Sequence, residues 1–275
     1  MIRYINTKFN SIIELLEYYK ISKSNIYKLI SNKYIKKNGI DIKDRNDILK
    51  QGDIIEIDDK KIKESSIIPS KHKIDILYED EDILIVYKDR HLLVHPDGND
   101  NDTLLNRVAY YFEGKDIVFS HLHRLDYDTC GMVVFSKNIL AHAYLSYMWE
   151  NKEVSKHYVA WCKGVLNNKS GVINKRIGKD RHSSKQIVSP IGLACETKYQ
   201  VIEEHNNNSK LDIEIIGGRK HQIRVHLASI KHPILGDKLY GYENDDMELM
   251  LKFYKISFVH PRTFELFTFE IDKNL

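Results

Sequence analysis

The chain has 275 residues, 42% hydrophobic and 29% charged, with a formal net charge of +3 and a pI near 8.5. This is enough apolar material for a sizeable core, and the length suggests one large domain with a small companion. Three scattered cysteines, Cys130, Cys162 and Cys195, exclude a disulfide framework and a paired-cysteine zinc site, and no apolar run reaches the ~18 residues needed to span a bilayer. The amino-terminus shows no secretory pattern, so the expectation is a reduced, cytoplasmic protein away from membranes. The weak net charge alone does not announce a nucleic-acid partner; the local distribution has to make that case.

Residues 1–60 read as a compact α+β unit. Ile12, Leu15, Leu16 and Tyr19 recur at helical spacing, and Ile26, Leu29 and Ile30 repeat it after Ser22–Ser24. Asn38-Gly39 is a tight-turn dipeptide between Tyr34-Ile35 and Ile40–Ile42, and Asp53–Ile57 predicts a closing strand. Between Lys20 and Lys37 stand Lys20, Lys23, Lys28, Lys33, Lys36 and Lys37 with no acidic residue. Such a face suits contact with phosphates, although a solvated helix face in a lysine-rich chain accounts for the same residues.

Residues 61–73, with Ser65-Ser66 and Pro69, read as a linker. Beyond it strands are predicted at Ile74–Tyr78, Ile83–Tyr87, Met132–Phe135, Lys156–Cys162, Thr197–Ile202, Leu211–Ile216, Tyr254–Phe258 and Phe264–Ile271. Helices are predicted at Thr103–Phe112, with Thr103 as N-cap, at Ile139–Glu150 and at His221–Ile230. Many strands with short connections and few helices give residues 74–275 as an α+β domain with a mixed, largely antiparallel sheet.

Polar residues concentrate in two places. His121–Gly131 precedes an apolar strand and contains Asp126, read either as a site residue or as a turn-stabilising aspartate. Gly217–His226 pairs two flexible glycines with a cationic helix start, which could hold a carboxylate or phosphate or could be a basic surface turn.

His123-Arg124-Leu125-Asp126, then Thr129-Cys130-Gly131 and Lys137, resembles the signature of the RluA-type pseudouridine synthases. Gly218–His226, His232–Asp237, Lys156-His157-Tyr158, Leu77–Asp80 and Val94-His95-Pro96 are similar to further motifs of that family, in order over residues 74–275. Residues 1–60 resemble the ribosomal-protein-S-four-type RNA-binding domain that often precedes this catalytic domain, without its usual opening Arg-Leu-Asp. Two departures stand out: Cys130 replaces the common Ser, and Lys88-Asp89-Arg90-His91 replaces Lys-Pro-Ala-Gly.

The resemblance implies a pseudouridine synthase fold and isomerisation of uridine in structured RNA, with neither cofactor nor metal. It implies Asp126 as nucleophile, Arg224 as its cationic partner and Tyr158 as the ring that stacks on the target base. It also implies RNA contacts by Arg124, His123, Arg219, His221 and the N-terminal lysines. Every route proposed for this chemistry needs an ionised carboxylate shielded from bulk water. Ribosomal RNA of the large subunit is the favoured partner, transfer RNA the alternative, and a monomer the default. Two competing readings are a hydrolase using Asp126 and Asp128 as an acid/base pair and a non-catalytic RNA-binding regulator.

Overall fold

The computed structural model describes residues 1–60, 67–98, 100–183, 185–241 and 247–275. In chain order the first unit runs β1 (Ile2–Ile5), α1 (Ile12–Tyr18), α2 (Lys23–Ser31), β2 (Ile35–Lys37), β3 (Ile40–Asp41) and β4 (Ile54–Ile57). Its strands form an antiparallel sheet ordered β1-β4-β2-β3. Ser11 and Ser22 cap the two helices, their hydroxyls accepting the N–H groups of Glu14 and Asn25. Strand β1 is an addition to the sequence reading. Ile2 and Tyr4 face the core while Arg3 and Ile5 face outward, an alternation only four residues long.

The second unit begins with β5 (Asp75–Glu79), β6 (Ile83–Lys88), α3 (Leu104–Tyr111), β7 (Ser120–His121), β8 (Cys130–Ser136), α4 (Ile139–Glu150) and β9 (Ser155–Lys163). It continues with β10 (Ser170–Ile173), β11 (Ile177–Lys179), β12 (Gln186–Val188), β13 (Glu196–His205), β14 (Asn208–Ile216), α5 (Gln222–Ser229), β15 (Leu251–Val259) and β16 (Leu266–Glu270). The main path of its large sheet is β10-β13-β14-β9-β15-β8-β6-β5, with β16 added to β15 and β7 to β8. Among the described residues only the β15–β8 pair is parallel, so the sheet is mixed and largely antiparallel, as expected. The hairpin β11–β12 stands apart from it. These edge strands and the hairpin escape a periodicity reading because they are short and half-exposed.

All seven residues of β8 are buried, and it is flanked by β6 and β15. Gly131 is obligatory there: its φ is +122°, and a Cβ would lie 2.3 Å from the Phe253 carbonyl oxygen. The motif glycine after Asp126 therefore permits the close parallel approach of β8 to β15.

The two units share a packed seam on α4. Leu140 belongs to the N-terminal hydrophobic cluster, and the Tyr144 ring stacks on Tyr18 at 5.7 Å. The Tyr19 hydroxyl donates to the Pro261 carbonyl at 2.7 Å, and Asp59 accepts the Ile139 N–H at 3.1 Å. Residues 61–66 of the expected linker lie outside the described residues. The stretch after them is held to α3, with the Asn106 amide donating to the Ile68 carbonyl and the Ser70 N–H donating to the Asn106 carbonyl. Among the described residues no helix is long and apolar enough to cross a membrane.

Leu140 is 3% exposed, so Leu140→Ala should lower unfolding free energy by about 2–5 kcal/mol. Urea denaturation checks this, and an unchanged midpoint would show that the seam contributes nothing to stability.

Candidate active site

The loop between β7 and β8, strand β9 and the start of α5 converge on a cleft of about 600 Å³. Asp126, Tyr158, Arg224, His123, Arg124, Arg219 and His221 all line it. The lysines Lys20, Lys23, Lys28, Lys33, Lys36 and Lys37 do not; they sit on the N-terminal unit between the end of α1 and the end of β2.

Arg224 is 4% exposed and faces two carboxylates. Its Nε and Nη2 donate to Asp237 at 2.9 and 2.7 Å, a bidentate buried pair. Its Nη1 lies 3.7 Å from Asp126 Oδ2. Burial works to lower the Arg224 pKa, but the bonds to Asp237 and the charge of Asp126 raise it on balance, so the guanidinium stays charged. His221 Nε2 lies 3.8 Å from the other oxygen of Asp126. Burial pushes His221 toward its neutral form, with the Asp126 charge opposing.

The turn before α5 is built by its own sequence. Gln222 Oε1 accepts the N–H groups of Gly218 and Arg219, and its Nε2 donates to the Glu196 carbonyl at 2.8 Å. His221 takes a left-handed backbone at φ +57° and gives α5 no side-chain cap. Its Nδ1 instead pairs with the Tyr240 hydroxyl at 2.8 Å, which also accepts the Gln186 N–H from β12.

Tyr158 lies on β9 with its ring stacked on Phe253 at 4.7 Å. Burial, and then the Asp126 charge, push its pKa up, so it is a neutral phenol at ordinary pH. Arg124 is exposed on the rim, its Nη1 donating to His95 Nε2 at 2.8 Å.

His123, expected to touch RNA, lines the cleft with its ring already engaged. Its Nε2 accepts the Val134 N–H at 3.2 Å, and its ring stacks on Trp149 at 5.6 Å. Burial, then the charges of Lys156 and His121, push its pKa down to about 3. A neutral imidazole so held offers no cation to a phosphate; it fastens the Asp126 loop to β8. Asp128 also departs from a pairing with Asp126, its Oδ1 lying 3.4 Å from His91 Nδ1. His91 keeps a left-handed φ of +59° at the position where the family resemblance carries glycine.

Lys88 is the least expected member. It is fully buried, and its ammonium donates to the carbonyls of Asp89, Leu92 and Tyr127, the last immediately after Asp126. Burial pushes its pKa down to about 8, against nearby negative charge that includes Asp126. Sequence gave a lysine before a turn but no sign of its burial.

Metal-ligand geometry occurs elsewhere. Asp80, Asp82 and His260 bring ligand atoms within 4.8 Å of one another, the one such trio among the described residues. Each is already engaged, Asp82 by Arg262 at 2.5 and 3.0 Å and Asp80 by His260 at 2.9 Å and the Tyr78 hydroxyl.

The chain is similar to known proteins in both sequence and fold. Residues 82–229 match the family model described as RNA pseudouridylate synthase. The chain is 39% identical to the RNA pseudouridine synthase YhcT of Bacillus subtilis, over 91% of this chain and 85% of that protein. It is 35% identical to ribosomal large subunit pseudouridine synthase D of Haemophilus ducreyi, over 80% of this chain and 69% of the relative. The fold is similar to that of human RNA pseudouridylate synthase domain containing 1, with a TM-score of 0.62 at 22% identity, covering 76% of this chain and 86% of the human one.

Asp237→Asn should cost about 3–5 kcal/mol, because it leaves a buried guanidinium without its bidentate partner. A loss below about 1 kcal/mol in urea unfolding, the level of an exposed pair, would contradict that. For Lys88 the sign follows from its lowered folded pKa. Between about pH 8 and its ordinary 10.5 the unfolded chain binds more protons, so stability rises with pH. The stability difference between the protein and Lys88→Met should therefore grow in the protein's favour by up to roughly 3 kcal/mol across that window. A flat difference would mean that Lys88 titrates normally.

Proposed function

Because the chain belongs to the RluA-type family of RNA pseudouridine synthases, and is an isomerase acting on RNA, we propose that it converts particular uridines of large-subunit ribosomal RNA with Asp126 as nucleophile. The observation that carries this reading is the Asp126 carboxylate in a cleft, with the buried Arg224 cation 3.7 Å away and the Tyr158 ring in the same wall.

The reaction breaks the bond from the ribose to the base nitrogen, turns the base and rejoins it through carbon. The ring carbon loses a proton and the freed nitrogen gains one, so there is no net oxidation or hydrolysis and no cofactor is required. Asp126 opens the path as an ionised carboxylate, and Arg224 keeps a charge beside it as water is excluded. Tyr158 stacks on the uracil through the ring face away from Phe253. As a neutral phenol it relays a proton only by giving up its own. Arg124, on the rim, takes the place of the extruded nucleotide in the RNA and offsets part of an unstacking cost of roughly a few kcal/mol. Arg219, His221 and the N-terminal lysines add contacts to the RNA.

Ribosomal RNA is favoured over transfer RNA because the relative from Haemophilus ducreyi carries that substrate in its name, and because a cationic unit precedes the catalytic one. We place the enzyme in the cytoplasm as a monomer. The hydrolase reading loses support from Asp128, which is turned to His91 and not across the cleft from Asp126.

Asp126→Asn should lower pseudouridine formation by several orders of magnitude while leaving RNA affinity about unchanged. Mass spectrometry of unmodified large-subunit ribosomal RNA and transfer RNA after incubation measures the first, filter binding the second. Normal turnover by the variant would dismiss Asp126 as nucleophile. Product confined to transfer RNA would reassign the substrate.

A further inference from the structure

The hydrogen on the His221 ring can be placed from its neighbours. The Tyr240 hydroxyl sits between two partners, the Gln186 N–H and His221 Nδ1, each at 2.8 Å. A backbone N–H can only donate, so it takes a lone pair of the Tyr240 oxygen. Burial pushes the Tyr240 pKa up, and the phenol keeps its hydrogen at ordinary pH. Among the described residues the acceptor at bonding distance from that hydroxyl is Nδ1. The hydroxyl therefore donates to Nδ1, and the neutral imidazole carries its own hydrogen on Nε2. That is the nitrogen facing Asp126, 3.8 Å from Oδ1.

The surroundings hold this state. His221 lines the cleft and Tyr240 stands behind it, outside the lining, with its own N–H bonded to Asp237 at 3.1 Å. Burial is the largest influence on His221 and disfavours its charged form. The positive charges of Arg224 and Lys220 act the same way, while Asp126 and Asp237 oppose them. A hydrogen bond given to Nδ1 exists only with the neutral ring, so Tyr240 adds to the burial effect. Were the ring protonated, its Nδ1–H would turn on an oxygen already taken by Gln186.

We propose that Tyr240 is a positioning residue that fixes His221 as a neutral imidazole with its Nε2–H on the Asp126 side of the cleft. The role in turnover rests on the function proposed above: the Nε2–H steadies the Asp126 carboxylate as it moves onto the substrate. A neutral imidazole is too weak an acid to protonate a carboxylate. An imidazolium would pair with Asp126 and blunt it as a nucleophile. Because the same hydroxyl receives the Gln186 N–H, the seating of the β11–β12 hairpin becomes part of the site geometry.

The test uses the full chain labelled with nitrogen-15 in its histidines, free of RNA, with His221 assigned by the signals lost in His221→Gln. Nuclear magnetic resonance should show a protonated Nε2 and a bare Nδ1 for His221. In Tyr240→Phe the two tautomers should mix, and the His221 titration should move to higher pH, because a bond to the neutral form is gone. With unmodified large-subunit ribosomal RNA transcript, turnover at saturating RNA should fall roughly fivefold with KM about unchanged. The acid limb of its pH profile should rise with the His221 titration, which a merely structural loss would not cause. A hydrogen on Nδ1 in the unaltered protein would overturn the inference outright, whatever the variant does. The expected tautomer with parental turnover and pH profile in Tyr240→Phe would overturn the positioning role. Absence of pseudouridine with the unaltered protein would overturn the proposed function and that role, while the tautomer is still decided by the RNA-free spectrum.

Discussion

The site hangs on one carboxylate, that of Asp237, which is 1% exposed. It accepts two bonds from Arg224 and, through Oδ1, the N–H groups of Leu239 and Tyr240. One buried anion therefore fixes a helix, a turn and a tyrosine. Tyr240 in turn holds His221 and β12, so the cationic wall opposite Asp126 and the hairpin above it share a single anchor. The neighbouring Gly236 shows how tightly that turn is set: at φ +74° a Cβ would fall 2.1 Å from the Glu248 carbonyl oxygen. A buried ion pair adds little net stability over an apolar replacement. What it supplies here is position.

The loop that carries Asp126 is held by a different device. Lys88 has no carboxylate partner at bonding distance among the described residues and spends its three donors on carbonyls. A charge satisfied only by dipoles remains expensive to desolvate, which is why its pKa falls while that of Arg224 rises. His123 adds a neutral hydrogen bond from the other end of the loop. The carboxylate thus stands on a segment pinned on both sides by groups that leave the carboxylate itself untouched.

Much of this was legible in the sequence, and what was not has physical reasons. The helices of the second unit fall where apolar spacing and caps put them, down to Thr103 accepting the Asn106 N–H. The motif residues Asp126, Tyr158 and Arg224 come together in one cleft although they are up to 98 positions apart. The burial of Lys88 was hidden, because lysine is rarely fully buried and a single sequence does not reveal the carbonyls that receive it. His123 was hidden for the opposite reason: a histidine beside an arginine looks cationic until its burial is known. The seam was also invisible, since the pairing of Tyr18 with Tyr144 is tertiary and leaves no mark in the local pattern of either segment.

A carboxylate proposed to act as nucleophile faces a conflict. It gains from a cation nearby as charge moves in the cleft, yet a direct bidentate pair with arginine would tie up both its oxygens. Asp237 resolves this by geometry. By taking Nε and Nη2 of Arg224 it leaves only Nη1 toward Asp126, at 3.7 Å, beyond hydrogen-bonding range. His221 stands off similarly at 3.8 Å and leans to its neutral form. The field of the guanidinium therefore reaches the carboxylate while its hydrogen bonds do not. Both Asp126 oxygens remain unclaimed by these neighbours, and a second aspartate, thirteen residues beyond Arg224 and never touching substrate in this reading, is what keeps them so.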